Sequence, residues 1–196
     1  MVALIGALVF GAGCWTEGCG RLAFYRGDPE HGIVMNEGIK DEAERAHADQ
    51  LYRRFVEISD KERSRSIPLA AATFVLGAAL LALAARGLAG RSNTRSALMQ
   101  VTAAQAAIVV LTYFATPNVR NAELDWQFES SLMKQKQSLP PDQYQEIVPT
   151  VRFMRRWGPG SWLVVRTLAS ALIVLALTRQ RSREFFEAAA RSVADR

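Results

Sequence analysis

Residues 161–178 form an apolar run broken by a single charge, Arg166. A guanidinium in that setting has two uses. It snorkels to the membrane interface on its flexible stem, or it points into a helix bundle and offers its planar fork of donors to an anionic or enol-like group. A second run, 96–119, carries no charge but contains Gln100, Thr102, Gln105, Thr112 and Tyr113. Amides and hydroxyls are tolerated in hydrocarbon where they hydrogen-bond to a neighbouring helix, which makes these residues helix-to-helix contacts. The alternative is a ligand pocket lined by Gln100 and Gln105.

Two other groupings are weaker. Glu44 and His47 are spaced Glu-x-x-His, which sets both on one helix face as di-iron bundle sites require. Such a site needs a second pair and two further carboxylates, which this chain lacks, so no metal is expected and His47 is expected at the edge of an apolar stripe. Cys14 and Cys19 match neither CxxC nor a zinc spacing. On a helix they point apart, and a disulfide would need a break at Gly18 or Gly20, so two free thiols are expected. The chain has no nucleophile elbow, phosphate-binding glycine loop, HExxH motif or internal repeat. No cofactor is implied, and whether the protein is an enzyme stays open.

The elements that must position these residues are membrane spans. Ile67 to Ala85 is uncharged throughout, and nineteen residues of helix reach about 28 Å, close to the hydrocarbon thickness. Its small residues, Ala70, Ala71, Ala72, Gly77, Ala78, Ala79 and Ala82, allow close approach of another helix. Expected spans cover 1–25, 67–88, 96–116 and 161–178. The first is short of apolar residues beyond Trp15, so a signal peptide and a lipoprotein signal ending at Cys14 compete with a retained helix; the missing basic n-region favours the retained helix. The 86–95 connection holds Arg86, Arg91 and Arg95 with no acid, and the 179–196 tail opens with Arg179, Arg181 and Arg183. Both are expected to be cytoplasmic. Phe185 and Phe186 suggest a short tail helix resting on the inner leaflet.

Charge is segregated from these runs. The chain is 49% hydrophobic and 22% charged with net charge +5, but its arginines form no single block, so nucleic acid is not an expected partner. Outer segments 26–66 and 117–160 carry most of the charge. After an irregular stretch through Gly27, Asp28-Pro29 and Gly32, a helix from about Lys40 to Arg65 places Ala43, His47, Leu51, Phe55 and Ile58 on one face. A second, capped by Asn121 and running from Ala122 to Gln137, carries Leu124, Phe128 and Leu132, widened by Trp126 and Met133. Neither buries its stripe alone, so the two are expected to pack together. Leu139-Pro140-Pro141 breaks the chain before a short helix disturbed at Pro149. Gly158-Pro159-Gly160, flanked by Trp157 and Trp162, marks the return to the membrane.

Thr116-Pro117-Asn118-Val119-Arg120-Asn121-Ala122-Glu123-Leu124, together with Trp157 and Arg166-Thr167-Leu168, resembles the corresponding places in a family of small four-helix membrane proteins that includes the anthrone oxygenases. Members often carry a histidine shortly before the arginine of the last span, where this chain has Ser161, Trp162 and Leu163. The resemblance implies cofactor-free oxygenation of a phenolic ring with an acidic C–H. A base, Glu123 or Asp125, would take the proton, while Arg166, Asn118 and Arg120 steadied the enolate.

The expectation is therefore an all-α protein, a four-helix transmembrane bundle with an outer cap of two amphipathic helical segments, forming one integral domain over 1–196. It would lie in the cell membrane with both termini cytoplasmic. Its partners would be the lipid bilayer and a membrane protein or a second copy of itself. A structural or accessory role is the first reading, and a membrane oxygenase or small-molecule-binding bundle the second.

Overall fold

The computed structural model describes residues 2–27, 35–89 and 94–194. Among these the chain is all-α: α1 (Val2–Arg26), α2 (Glu42–Lys61), α3 (Arg63–Leu88), α4 (Thr94–Ala115), α5 (Pro117–Ser138), α6 (Pro141–Thr178) and α7 (Gln180–Ala194), with a 3-10 turn at Met35–Gly38. Four of them, α1, α3, α4 and α6, are long and apolar enough to cross a membrane. The expected irregular stretch at Asp28-Pro29 and Gly32, Arg91, and the side chains of Arg181 and Arg183 lie outside the described residues.

The chain forms two compact units, one of residues 1–22, 67–112 and 163–196, the other of 23–66 and 113–162. The first unit is built from stripes of small and apolar residues that repeat every three and four positions. On α1 the buried positions are Leu4, Ala7, Gly11, Cys14 and Gly18. On α3 they are Ala70, Thr73, Gly77, Leu80, Ala84 and Gly87. That 3.5-residue period is the spacing of left-handed bundle packing. Where α1 meets α3 the backbones nearly touch: a Cβ added at Gly77 would lie 2.5 Å from Trp15 N, and one at Gly18 2.5 Å from Phe74 N. Lipid gives helices no hydrophobic reason to associate, so such close approach supplies the dispersion contact that holds them. Leu98, Ile173 and Leu177 complete this core.

The tail helix joins the same core. Phe186 is buried against it, and its ring edge lies 3.6 Å from where a Cβ on Gly87 would sit. Phe185 stays exposed, so the aromatic pair that suggested a helix lying on the leaflet is divided between core and surface.

Hydroxyls in the spans mostly satisfy themselves. Thr73 donates to Leu69 O at 2.8 Å, Thr102 to Leu98 O at 2.7 Å and Thr112 to Ile108 O at 2.7 Å. They bond one turn back along their own helix, because the i−4 carbonyl is always within reach of a threonine hydroxyl.

In the second unit α2 packs on α5, as expected for two helices with unburied stripes. The buried face of α2 differs from the expected one: Ala48, Tyr52, Phe55 and Ser59 are inside, while Ala43 and His47 are exposed. Tyr52 decides this. Its ring lies 4.9 Å from Trp126, and Phe55 stacks on Trp126 at 6.0 Å and on Phe24 at 5.0 Å. Aromatic rings bury more area than the alanine and histidine that the alternative face offered. On α5 the matching face is Val119, Ala122 and the expected Trp126; of the Leu124-Phe128-Leu132 line, Leu132 is buried and the other two are half-buried.

Two boundaries also differ. Helix α5 starts at Pro117, not Ala122, because proline suits the first turn of a helix, where its missing N–H is no loss. Helix α6 runs unbroken for 38 residues through Pro149 and Gly158-Pro159-Gly160. A proline frees one carbonyl and clashes locally, yet its φ is helical, so a long helix held on both sides of it can continue.

The far end of the α2–α5 pair is pinned by Glu44, which accepts from Lys136 Nζ at 2.5 Å and from Gln137 Nε2 at 3.1 Å. The Lys136 hydrogen bond holds the Glu44 carboxyl below the usual carboxylate range. A lowered folded-state pKa contributes stability above the usual carboxylate range and loses it as pH falls through the lowered value. Wild-type protein is therefore expected to lose slightly more thermal stability between pH 6 and pH 3 than Glu44→Gln, the effect staying small because the pair is solvent-exposed.

Candidate functional site

Arg166 does not reach outward. Its Nη1 donates to Glu17 Oε2 at 2.5 Å and its Nη2 to Cys14 Sγ at 3.0 Å, with the guanidinium 6.0 Å from the Phe10 ring. Its side chain is 12% exposed against 33% for Glu17. The partners come from one helical face: Cys14 belongs to the α1 packing stripe, Glu17 follows three residues on, and Arg21 four beyond that. Arg21 Nε reaches Glu17 Oε1 at 3.4 Å, so one carboxylate serves two guanidiniums. The cluster carries a net positive charge and fixes α6 to α1 through charge-assisted bonds.

Glu17 had a readable signal. An arginine in a span needs a partner, and Glu17 is the only acid within the four expected spans.

Gln105 lies at a similar depth. Arg95 Nε donates to Leu177 O at 2.7 Å, which ties the start of α4 to the end of α6. Ten residues along α4 from Arg95 and eleven back along α6 from Leu177 correspond to about 15 Å and about 16 Å of helix rise, reaching Gln105 and Arg166. Gln105 is 0% exposed, and neither end of its amide has a hydrogen-bond partner. Gln100, proposed to line a pocket with it, is exposed on another face of α4.

The other candidates belong to the second unit, and each has an internal partner. Asn118 Nδ2 donates to Glu62 Oε1 at 2.7 Å. Arg120 donates to the Tyr113 carbonyl and lies 3.8 Å over the Tyr113 ring. Glu123 accepts from Gln127 Nε2 at 3.2 Å. Asp125 accepts from Arg155, which also reaches Glu129 at 3.4 Å. Asp125 is thus half of a clamp between α5 and α6.

Among the described residues no three His, Cys, Asp or Glu side chains are grouped to hold a metal. Glu44 is occupied by Lys136 and Gln137, and His47 faces solvent. Cys14 is a buried free thiol and Cys19 an exposed one.

No family model, curated protein or solved structure matches the chain.

Proposed function

We propose that this chain is a multi-pass protein of the cell membrane, with both termini cytoplasmic, acting as a structural or accessory subunit beside another membrane protein or a second copy of itself. The observation that carries this reading is the use of the charged groups in and around the spans. Arg166 and Glu17 bind helix to helix, as do Arg155 and Asp125, while Arg21 holds the same Glu17 carboxylate from one turn along α1. Orientation is supported by the Arg95–Leu177 contact, which brings the arginine-bearing hairpin and the arginine-bearing start of the tail to one end of the first unit. Reporter fusions at residues 90 and 140 are expected on opposite sides of the membrane. A photo-crosslinker at Trp157 or Leu172, both exposed on α6, is expected to give one discrete protein adduct, while lipid adducts alone at both positions would overturn the accessory reading.

A second reading, a small-molecule-binding bundle of the anthrone-oxygenase kind, is favoured by the unpartnered Gln105 amide at the depth of Arg166. Gln105→Leu separates the two readings. If the amide serves no ligand, removing two buried unsatisfied groups is expected to stabilise the protein by about 1–2 kcal/mol, read as a higher thermal midpoint in detergent. If it serves one, stability in the presence of an anthrone falls instead. Unchanged anthrone oxidation by Arg166→Ala would remove the oxygenase reading.

A further inference from the structure

The first half of α6 turns one side to α5 and leaves the other bare. Val151, Arg155 and Gly158 are half-buried, and Arg155 clamps that side to Asp125 and Glu129 of α5. The opposite side carries Phe153, Met154 and Trp157, each more than half exposed, with Arg152 and Arg156 exposed beside them. Large apolar residues scattered singly over a surface are ordinary, but three within five residues form a patch of the kind that meets a partner or a membrane.

The arginines narrow what covers this patch. Arg152 and Arg156 stand four apart, so they are neighbours on the helix and repel each other. Neither has an acid three or four residues away, and among the described residues neither forms an ion pair. The Arg156 guanidinium lies 5.9 Å from the Trp157 ring centroid, a cation–π contact that keeps it at the edge of the apolar patch. An anion shared by the two arginines relieves their repulsion, and phosphate oxygens accept a guanidinium's donors in pairs. A free phosphate would leave Phe153, Met154 and Trp157 in water. A phospholipid covers both parts. Depth agrees: the apolar run 161–178 rises only about 26 Å, so hydrocarbon about 30 Å thick, counted back from Thr178, reaches to about residue 158. The headgroup layer, about 5–7 Å thick on each side, then takes in Trp157, Arg156 and Met154 and ends near Phe153 and Arg152.

We propose that the 152–157 face of α6 binds an anionic phospholipid, its phosphate between Arg152 and Arg156 and its glycerol and upper acyl chain against Trp157 and Phe153. The inference rests on the membrane placement proposed above and not on the accessory role. With a lipid on this face, lipid adducts are expected from a photo-crosslinker at Trp157 and the protein adduct at Leu172.

The test is the indole N–H resonance of Trp157 in full-length protein carrying 15N-labelled tryptophan, reconstituted in phosphatidylcholine nanodiscs with a rising fraction of phosphatidylglycerol and assigned with Trp157→Phe. A shift that saturates at a low phosphatidylglycerol fraction is expected. Inorganic phosphate added to pure phosphatidylcholine nanodiscs is expected to leave the resonance in place, since it has no apolar part. Arg152→Gln/Arg156→Gln is expected to raise the fraction needed about tenfold, as for two cations lost beside an anionic headgroup. Arg179→Gln, which removes an exposed charge elsewhere on the chain, is expected to leave the titration unchanged. Where the double variant disturbs the Trp126 resonance, Arg156→Gln alone takes its place, with a smaller loss in the same direction. No saturable shift, an equal response to inorganic phosphate, or a folded arginine variant that titrates like the parent would overturn the site while leaving the membrane placement standing. Failure of the protein to enter phosphatidylcholine nanodiscs would overturn both.

Discussion

Glu17→Leu is expected to destabilise the protein by about 3 kcal/mol, whereas Arg166→Leu is expected to cost about 1 kcal/mol or less. The asymmetry comes from what each substitution leaves behind. Without Glu17, the guanidinium of Arg166 keeps only the Cys14 thiol, a weak acceptor, and stands charged among apolar side chains. Without Arg166, the Glu17 carboxylate still has Arg21 at 3.4 Å and is a third exposed. The double variant Glu17→Leu/Arg166→Leu is expected within about 1 kcal/mol of the parent, because replacing a buried pair by apolar groups removes both charges' desolvation together. Detergent unfolding curves of the four proteins give the cycle directly. Equal losses for the two single variants, adding in the double, would mean that Arg166 already reaches water and that the pair holds nothing.

Gly77→Val is expected to be as damaging, about 3 kcal/mol or more, through a different cause. Its first added carbon would sit 2.5 Å from Trp15 N and 2.9 Å from Trp15 Cα. Those are backbone atoms, so no side chain can turn aside and α1 must separate from α3. Separation would also pull Glu17 from Arg166, since both contacts depend on the same α1 face. Gly13 and Gly20 are the controls on that helix: a Cβ at either meets nothing within 4 Å. Gly13→Ala and Gly20→Ala are expected to leave stability unchanged or raise it by up to about 1 kcal/mol through helix propensity. Thermal midpoints in one detergent distinguish the cases.

Several features of the site were within reach of the sequence and others were not. Glu17 was recoverable as the counter-charge of Arg166, because electrostatics demands a partner and the spans contain one acid. Cys14 as a second acceptor was not, since a thiol carries no signal of what approaches it. The different fates of Gln100 and Gln105 were not readable either. Both lie in an apolar run, and only the rotation of α4 makes one exposed and the other fully buried. On α2 the three- and four-residue spacing of Ala43, His47 and Phe55 passes over Tyr52, whose ring area counts for more than its hydroxyl.

The sequence by itself determined that the chain is all-α, that four segments are long and apolar enough to cross a membrane, and that two charged helical segments must bury their stripes on each other. Those properties depend on composition, run length and periodicity, which are local. Only the tertiary structure decided which side of each apolar helix faces protein, which polar groups find partners, and that α6 continues through Gly158-Pro159-Gly160. The physical reason is that a membrane helix is apolar all round. Hydropathy then carries no information about its inward face, and the choice falls to small residues such as Gly11, Gly18 and Gly77, whose effect exists only once two backbones are brought together.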